Sequence, residues 1–209
     1  FDWRRWTTLS RAACRVNFVS HNEYSVFFFV CPLILSACGY GAQPRDVRGA
    51  LAAAANALES RDSEAVFHCL DERARFAMYA IVNTRRDARK LIEADYPPQE
   101  RGPALAALGE AAKVSTAEEL FARRCDSACL QTFADAVGAP VSQRMSGDEV
   151  VVSTVRGKTL RMHAGSDGGY GLVWNTEPLA GERSQAAREL VRIRENAAVY
   201  RRRKKLEAR

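Results

Sequence analysis

Cys125 and Cys129 stand four residues apart in RRCDSAC, and His68 adjoins Cys69 in FHCL. Thiols at i and i+4 share a helix face with Cα atoms about 6 Å apart, within reach of a disulfide. An unbroken helix aims their Cβ atoms poorly, so the bond asks for a break at Asp126-Ser127. Cys69 is the other candidate, paired to either of them, and the longer loop would then contribute more stability. A metal centre would have to draw on His68, Cys69, Cys125, Cys129 and His163. Adjacent helical residues point about 100° apart, so His68 and Cys69 do not converge on one ion. Thiolate sites also favour tighter C-x2-C pairs. A redox or metal-handling role for Cys125 and Cys129 therefore ranks second to a structural disulfide, and no cofactor is expected.

No nucleophile–histidine–acid arrangement of the GxSxG kind occurs. GSDGGYG, residues 165–171, lies between two strand-like runs and not ahead of a helix. It reads as a hairpin turn, not as a phosphate-cradling loop. His68 on an amphipathic helix and His163 in a strand read as structural. The expectation is a non-enzymatic protein, with Tyr170 and Trp174 as candidates to line a pocket if the sheet curves around one.

The elements that must position these residues follow from periodicity. Val47, Ala50, Leu51, Ala54 and Leu58 recur at helical spacing and predict a helix over 46–59. Cap residues in Ser60-Arg61-Asp62-Ser63 open a second helix with the stripe Phe67, Leu70, Ala74, Ala77 and Ile81. It runs on or restarts through 85–96, until Pro97-Pro98 stops it. A short helix is predicted in 104–112. Ser115 and Glu118 stand at capping-box spacing ahead of Leu120 and Phe121, and that helical pattern runs to Val137, before Gly138 and Pro140.

Beyond Pro140 the period changes to two. Residues 149–155 and 159–163 are β-branched and alternating, joined by a turn at Arg156-Gly157-Lys158. Residues 170–175 make a third strand and 141–145 a fourth candidate. A closing helix spans 184–207, with Leu190, Ile193, Ala197 and Tyr200 on one side. Helices, then an antiparallel meander of three to four strands, then a C-terminal helix make an α+β domain over 46–200. The pattern of helices followed by a meander loosely resembles NTF2-like domains of exported lipoproteins, which implies helices closing a cone-shaped sheet.

Of the net charge of +6, residues 1–37 carry +2 and residues 201–209 carry +5, which leaves −1 for 38–200. The body is near neutral, so a nucleic-acid face is not expected. The basic tail 201–209 has two readings. Its cations complement the negative pole of a helix end, or they form a patch for anionic lipid heads.

The run VFFFVCPLILSA, residues 26–37, carries no charge and follows Arg4, Arg5, Arg11 and Arg15. A membrane-spanning helix needs roughly 20 apolar residues; this run is shorter and contains Pro32. A basic flank, a short apolar run and small residues before a break are the layout of a secretory signal peptide, here residues 1–37. Leu35-Ser36-Ala37-Cys38 closes the run and resembles the lipobox of bacterial lipoproteins. The resemblance implies a diacylglycerol thioether on Cys38, cleavage before it and acylation of the new amino terminus. It implies a lipid membrane as partner through Cys38, with 38–45 as tether. Gly39 in place of Asp leans toward the outer membrane, facing the periplasm. With Cys38 so used, Cys69, Cys125 and Cys129 remain behind it, one disulfide and one spare thiol in an oxidising compartment. The second partner would be an envelope protein or a small ligand that the residues do not name.

Overall fold

The computed structural model describes residues 43–208, which form an α+β arrangement of six helices, a four-stranded sheet and a long closing helix. The first helix, α1 (Val47–Glu59), starts where Asp46 Oδ1 accepts a hydrogen bond from the Gly49 amide at 2.7 Å. It buries Val47, Ala50, Leu51, Ala54 and Ala57. α2 (Ser63–His68) is capped by Asp62, which accepts from the Glu64 and Ala65 amides.

The stripe from Phe67 to Ile81 belongs to two helices, not one. The chain leaves helical geometry after His68 and resumes as α3 (Glu72–Asp95), capped by the fully buried Asp71. Asp71 accepts from the Ala74 amide at 3.1 Å, a local cap that competes with helix continuation. Phe67, Leu70, Ala74, Ala77 and Ile81 are nevertheless all buried, because both helices turn the stripe toward one core.

α4 (Pro98–Ala107) begins earlier than its apolar pattern suggested, since Pro98 stands at its first turn, where the missing N–H costs nothing. A single 3-10 turn, Glu110–Ala112, follows. The cap of α5 (Ala117–Arg124) sits one residue beyond the predicted Ser115–Glu118 box. Thr116 Oγ1 accepts from the Glu119 amide at 3.1 Å, and the Glu119 carboxylate accepts from the Ser115 amide at 2.8 Å. α6 (Ser127–Ala136) is recapped by Asp126 through the Ala128 and Cys129 amides.

Strands β1 (Pro140–Ser146), β2 (Glu149–Thr154), β3 (Thr159–Ala164) and β4 (Tyr170–Leu172) form an antiparallel meander in sequence order. The last strand is shorter than predicted, because Asn175 adopts φ 46° and turns the chain into the next helix. The far edge of β4 is closed by the α2–α3 link. The Asp71 amide donates to Leu172 O at 2.8 Å, and the Leu172 amide donates to Cys69 O at 2.9 Å. Gly171 makes this approach possible. A Cβ there would lie 2.6 Å from Asp71 N, Asp71 Cα and Leu70 O.

The closing helix α7 (Thr176–Glu207) starts well before the predicted Ser184 and absorbs most of the tail. Pro178 and Gly181 masked this start in the sequence, yet Pro178 falls in the first turn and is tolerated there. α7 runs parallel to α3. Thr176 Oγ1 donates to Asp71 Oδ2, Arg85 pairs with Glu189, and the Tyr96 and Tyr200 rings meet edge to face at 4.9 Å. The first two of these partners stand 105 and 104 residues apart, a constant register along both helices.

Two apolar clusters fill the structure. Val150, Val152, Met162 and Leu172 from the sheet meet α1, α2, α5 and the first half of α3, with Phe67 and Phe121 at the centre. The second half of α3, α4 and α7 enclose Ile92, Tyr96, Leu108, Leu190 and Ile193. No helix among the described residues is long and apolar enough to cross a membrane.

Candidate functional site

The break at Asp126 brings Cys125 and Cys129 to a Cα separation of 5.0 Å, and the two are joined by a disulfide. Cys125 ends α5 and is buried, while Cys129 lies in the first turn of α6 and packs against the main core. Cys69, at the end of α2, is a free, half-buried thiol. Burial pushes this thiol up to about 11, against a small opposing pull from Arg75. A thiol so placed is almost wholly protonated near neutral pH and a poor nucleophile. No group of three or more His, Cys, Asp or Glu among the described residues is arranged to hold a metal ion. Cys38 and residues 1–37 lie outside the described residues.

A charged row joins the start of α3 to the sheet. Glu149, His163 and Gly171 are register neighbours across β2, β3 and β4 and share one face. Arg73, in the first turn of α3, reaches that row. Its Nη2 donates to Glu149 Oε1 at 2.7 Å, its Nη1 to Asp148 Oδ2 at 3.2 Å and its Nε to Asp71 Oδ1 at 3.4 Å. Arg161 holds the other oxygen of Glu149, and His163 Nε2 lies 3.3 Å from Asp148 Oδ2. Burial by itself would raise the Glu149 carboxyl, but the hydrogen bonds from Arg73 and Arg161 outweigh it and hold the group below its ordinary range. Glu72 is also held low, by the amide and hydroxyl of Ser166 in the β3–β4 turn.

Beside this row, the parallel starts of α3 and α7 leave an open cleft of about 360 Å³. Its apolar lining comes from Phe76, Ala77 and Ala180, and its polar lining from Glu72, Arg73, Thr176 and Arg183. Phe76 is 64% exposed although it belongs to a helix whose opposite side is core. Glu72, Arg73 and Thr176 are engaged with Ser166, the carboxylate row and Asp71 respectively, whereas Arg183 has no carboxylate partner among the described residues. The cleft can hold an apolar group over Phe76 with an anion beside Arg183.

Neither Tyr170 nor Trp174 lines this cleft. Both are half-buried and pack against the main core, where Trp174 meets Phe121 edge to face at 5.2 Å. Sequence reasoning missed the cleft and the carboxylate row. Phe76 was the available sign: an aromatic residue off the stripe of Ala74, Ala77 and Ile81, next to Arg73 and Arg75. No protein-family model, curated protein or solved structure matches the chain.

Proposed function

We propose that the chain is a lipid-anchored protein of the cell envelope, exported by residues 1–37 and held to the membrane through Cys38. The observation that carries this reading is the uncharged run 26–37 ending in Leu35-Ser36-Ala37-Cys38 behind an arginine-bearing flank. One acyl chain binds a bilayer only marginally, whereas the several chains implied by the lipobox hold it stably. The Cys125–Cys129 disulfide supports the reading, because disulfides persist mainly in oxidising compartments. The α+β domain behind the anchor serves as a non-enzymatic binding or scaffolding module. The α3–α7 cleft suits a small ligand or peptide end with an apolar body and an anionic group. A redox or metal role for Cys125 and Cys129 has less support, since Cys125 is buried to 1% exposure and no cluster of three or more His, Cys, Asp or Glu among the described residues surrounds the pair.

Intact mass spectrometry of the membrane-extracted protein, beside a Cys38→Ala variant, tests the reading. The expected result is a chain of residues 38–209 bearing diacylglycerol and a further acyl group, absent from the variant. An unmodified chain that retains residues 1–37 in the cytosol would overturn it.

A further inference from the structure

The last two turns of α7 stand apart from the rest of the molecule. With the α3–α7 register near 105, residues beyond Tyr200 pass the end of α3, and residues 201–207 are all exposed. These turns carry Arg201, Arg202, Arg203, Lys204 and Lys205 in succession. Arg201 reaches Asp95 at 3.5 Å; the other four have no carboxylate partner among the described residues. Helix ends are stabilised chiefly by packing, and like charges at i,i+4 oppose helicity. A cationic extension of this kind gains from an anionic surface laid against it.

The same helix offers apolar groups to that surface. At about 100° per residue, Arg188, Val191, Arg192, Val199, Arg202 and Leu206 fall within a sector about 100° wide, opposite the buried Leu190, Ile193 and Ala197. Val191, Val199 and Leu206 are 53%, 48% and 72% exposed. Glu195 is the one acid in the sector, and Glu189 lies outside it, held by Arg85. Cations beside exposed aliphatic groups on one helix face suit an electrostatic contact with anionic headgroups, with the aliphatic groups reaching the headgroup boundary. A nucleic-acid groove would instead present aromatic platforms, and Tyr200, the aromatic residue of α7, is half-buried against Tyr96.

We infer that the outward face of α7, from Arg188 to Leu206, docks on an anionic phospholipid surface and orients the domain there. The preference for a bilayer over other polyanions rests on the lipid-anchor reading above. Near an anionic bilayer each cation strengthens binding by roughly fivefold.

The domain from Gln43 onward encloses both apolar clusters, so it can be tested without its lipid. Co-sedimentation with phosphatidylcholine vesicles, with and without phosphatidylglycerol, reads the docking directly. Binding is expected only with phosphatidylglycerol. Replacing Arg188, Arg192 and Arg202, the cations of this sector, together by Gln should weaken it about 100-fold. The pair Val199→Ser and Leu206→Ser should weaken it several-fold. All these positions are exposed, and far-UV circular dichroism checks that each variant keeps its fold. Equal sedimentation with both vesicle types overturns the inference. So does equal or tighter binding to a single-stranded oligonucleotide that is insensitive to the serine pair. The mass of Cys38 is measured separately, so a lipidated chain whose bare domain ignores vesicles refutes the docking face and leaves the anchor standing.

Discussion

Gly171→Ala is the sharpest probe of how the sheet is joined to the helices. The new methyl carbon would sit 2.6 Å from three backbone atoms of Leu70 and Asp71, and backbone cannot swing aside as a side chain can. Relief requires β4 and the α2–α3 link to part. Parting them stretches the Asp71 N–H to Leu172 O bond and the Leu172 N–H to Cys69 O bond. Overpacking a core costs about 1–3 kcal/mol, and two buried backbone hydrogen bonds are worth about 1 kcal/mol each. The expected destabilisation is therefore about 3–5 kcal/mol. With a urea slope of about 2 kcal/mol/M the midpoint should fall by roughly 2 M. Gly102→Ala is the matched control, because nothing lies within 4 Å of its Cβ position on α4. Alanine there should stabilise by up to about 1 kcal/mol. Amide exchange at Asp71 and Leu172 should accelerate in Gly171→Ala alone. A midpoint unchanged to within about 0.3 M, with those two amides still protected, would refute the reasoning, since that shift is well under 1 kcal/mol at such a slope.

Three further outcomes are expected. The Cys125–Cys129 bond closes a loop of only a few residues, so its reduction should lower stability by about 2 kcal/mol in the chain-entropy treatment, read as the urea midpoint with and without reductant. Cys69, its thiol pushed up to about 11 by burial, should react with a chromogenic disulfide reagent at pH 8 only once the protein is unfolded; rapid labelling of the native protein would contradict that placement. The Glu149 carboxyl lies below its ordinary range when folded, so its contribution is complete above the ordinary value of about 4.3 and is lost as pH falls through the lowered one. Glu149→Gln should accordingly flatten the fall in stability below about pH 4.5, and an unchanged slope would show that the Arg73–Glu149–Arg161 row does not couple to folding.

Periodicity carried most of the secondary structure into view. The stripes in 46–59 and 67–81, the change of period at Pro140 and the recapping at Asp126 are all local patterns, and local patterns are what a sequence displays. The misreadings share a cause. Whether Leu70 continues a helix or crosses to β4 depends on Leu172, about a hundred residues away, and on Gly171 having no side chain. Ser115 and Thr116 are equivalent caps on paper, and the fold uses Thr116. Pro178 and Gly181 hid the start of α7 because their propensities oppose a helix that α3 stabilises from the side. The cleft was invisible for the same reason: Phe76 and Arg183 are neighbours only because two distant helices run in register.

The parallel pairing of α3 and α7 also dictates an order of assembly. Antiparallel helices can meet across a short hairpin; these two must wait for about a hundred intervening residues. Bringing such ends together costs on the order of 4 kcal/mol in chain entropy before any contact repays it. During synthesis the α3 face of Ala88, Ile92 and Tyr96 is therefore covered only in part, by α4 and the turn after it, until α7 has emerged behind the last strand. Contacts so distant in sequence form late, and the apolar surface left open in that interval is the kind that chaperones hold and proteases cut.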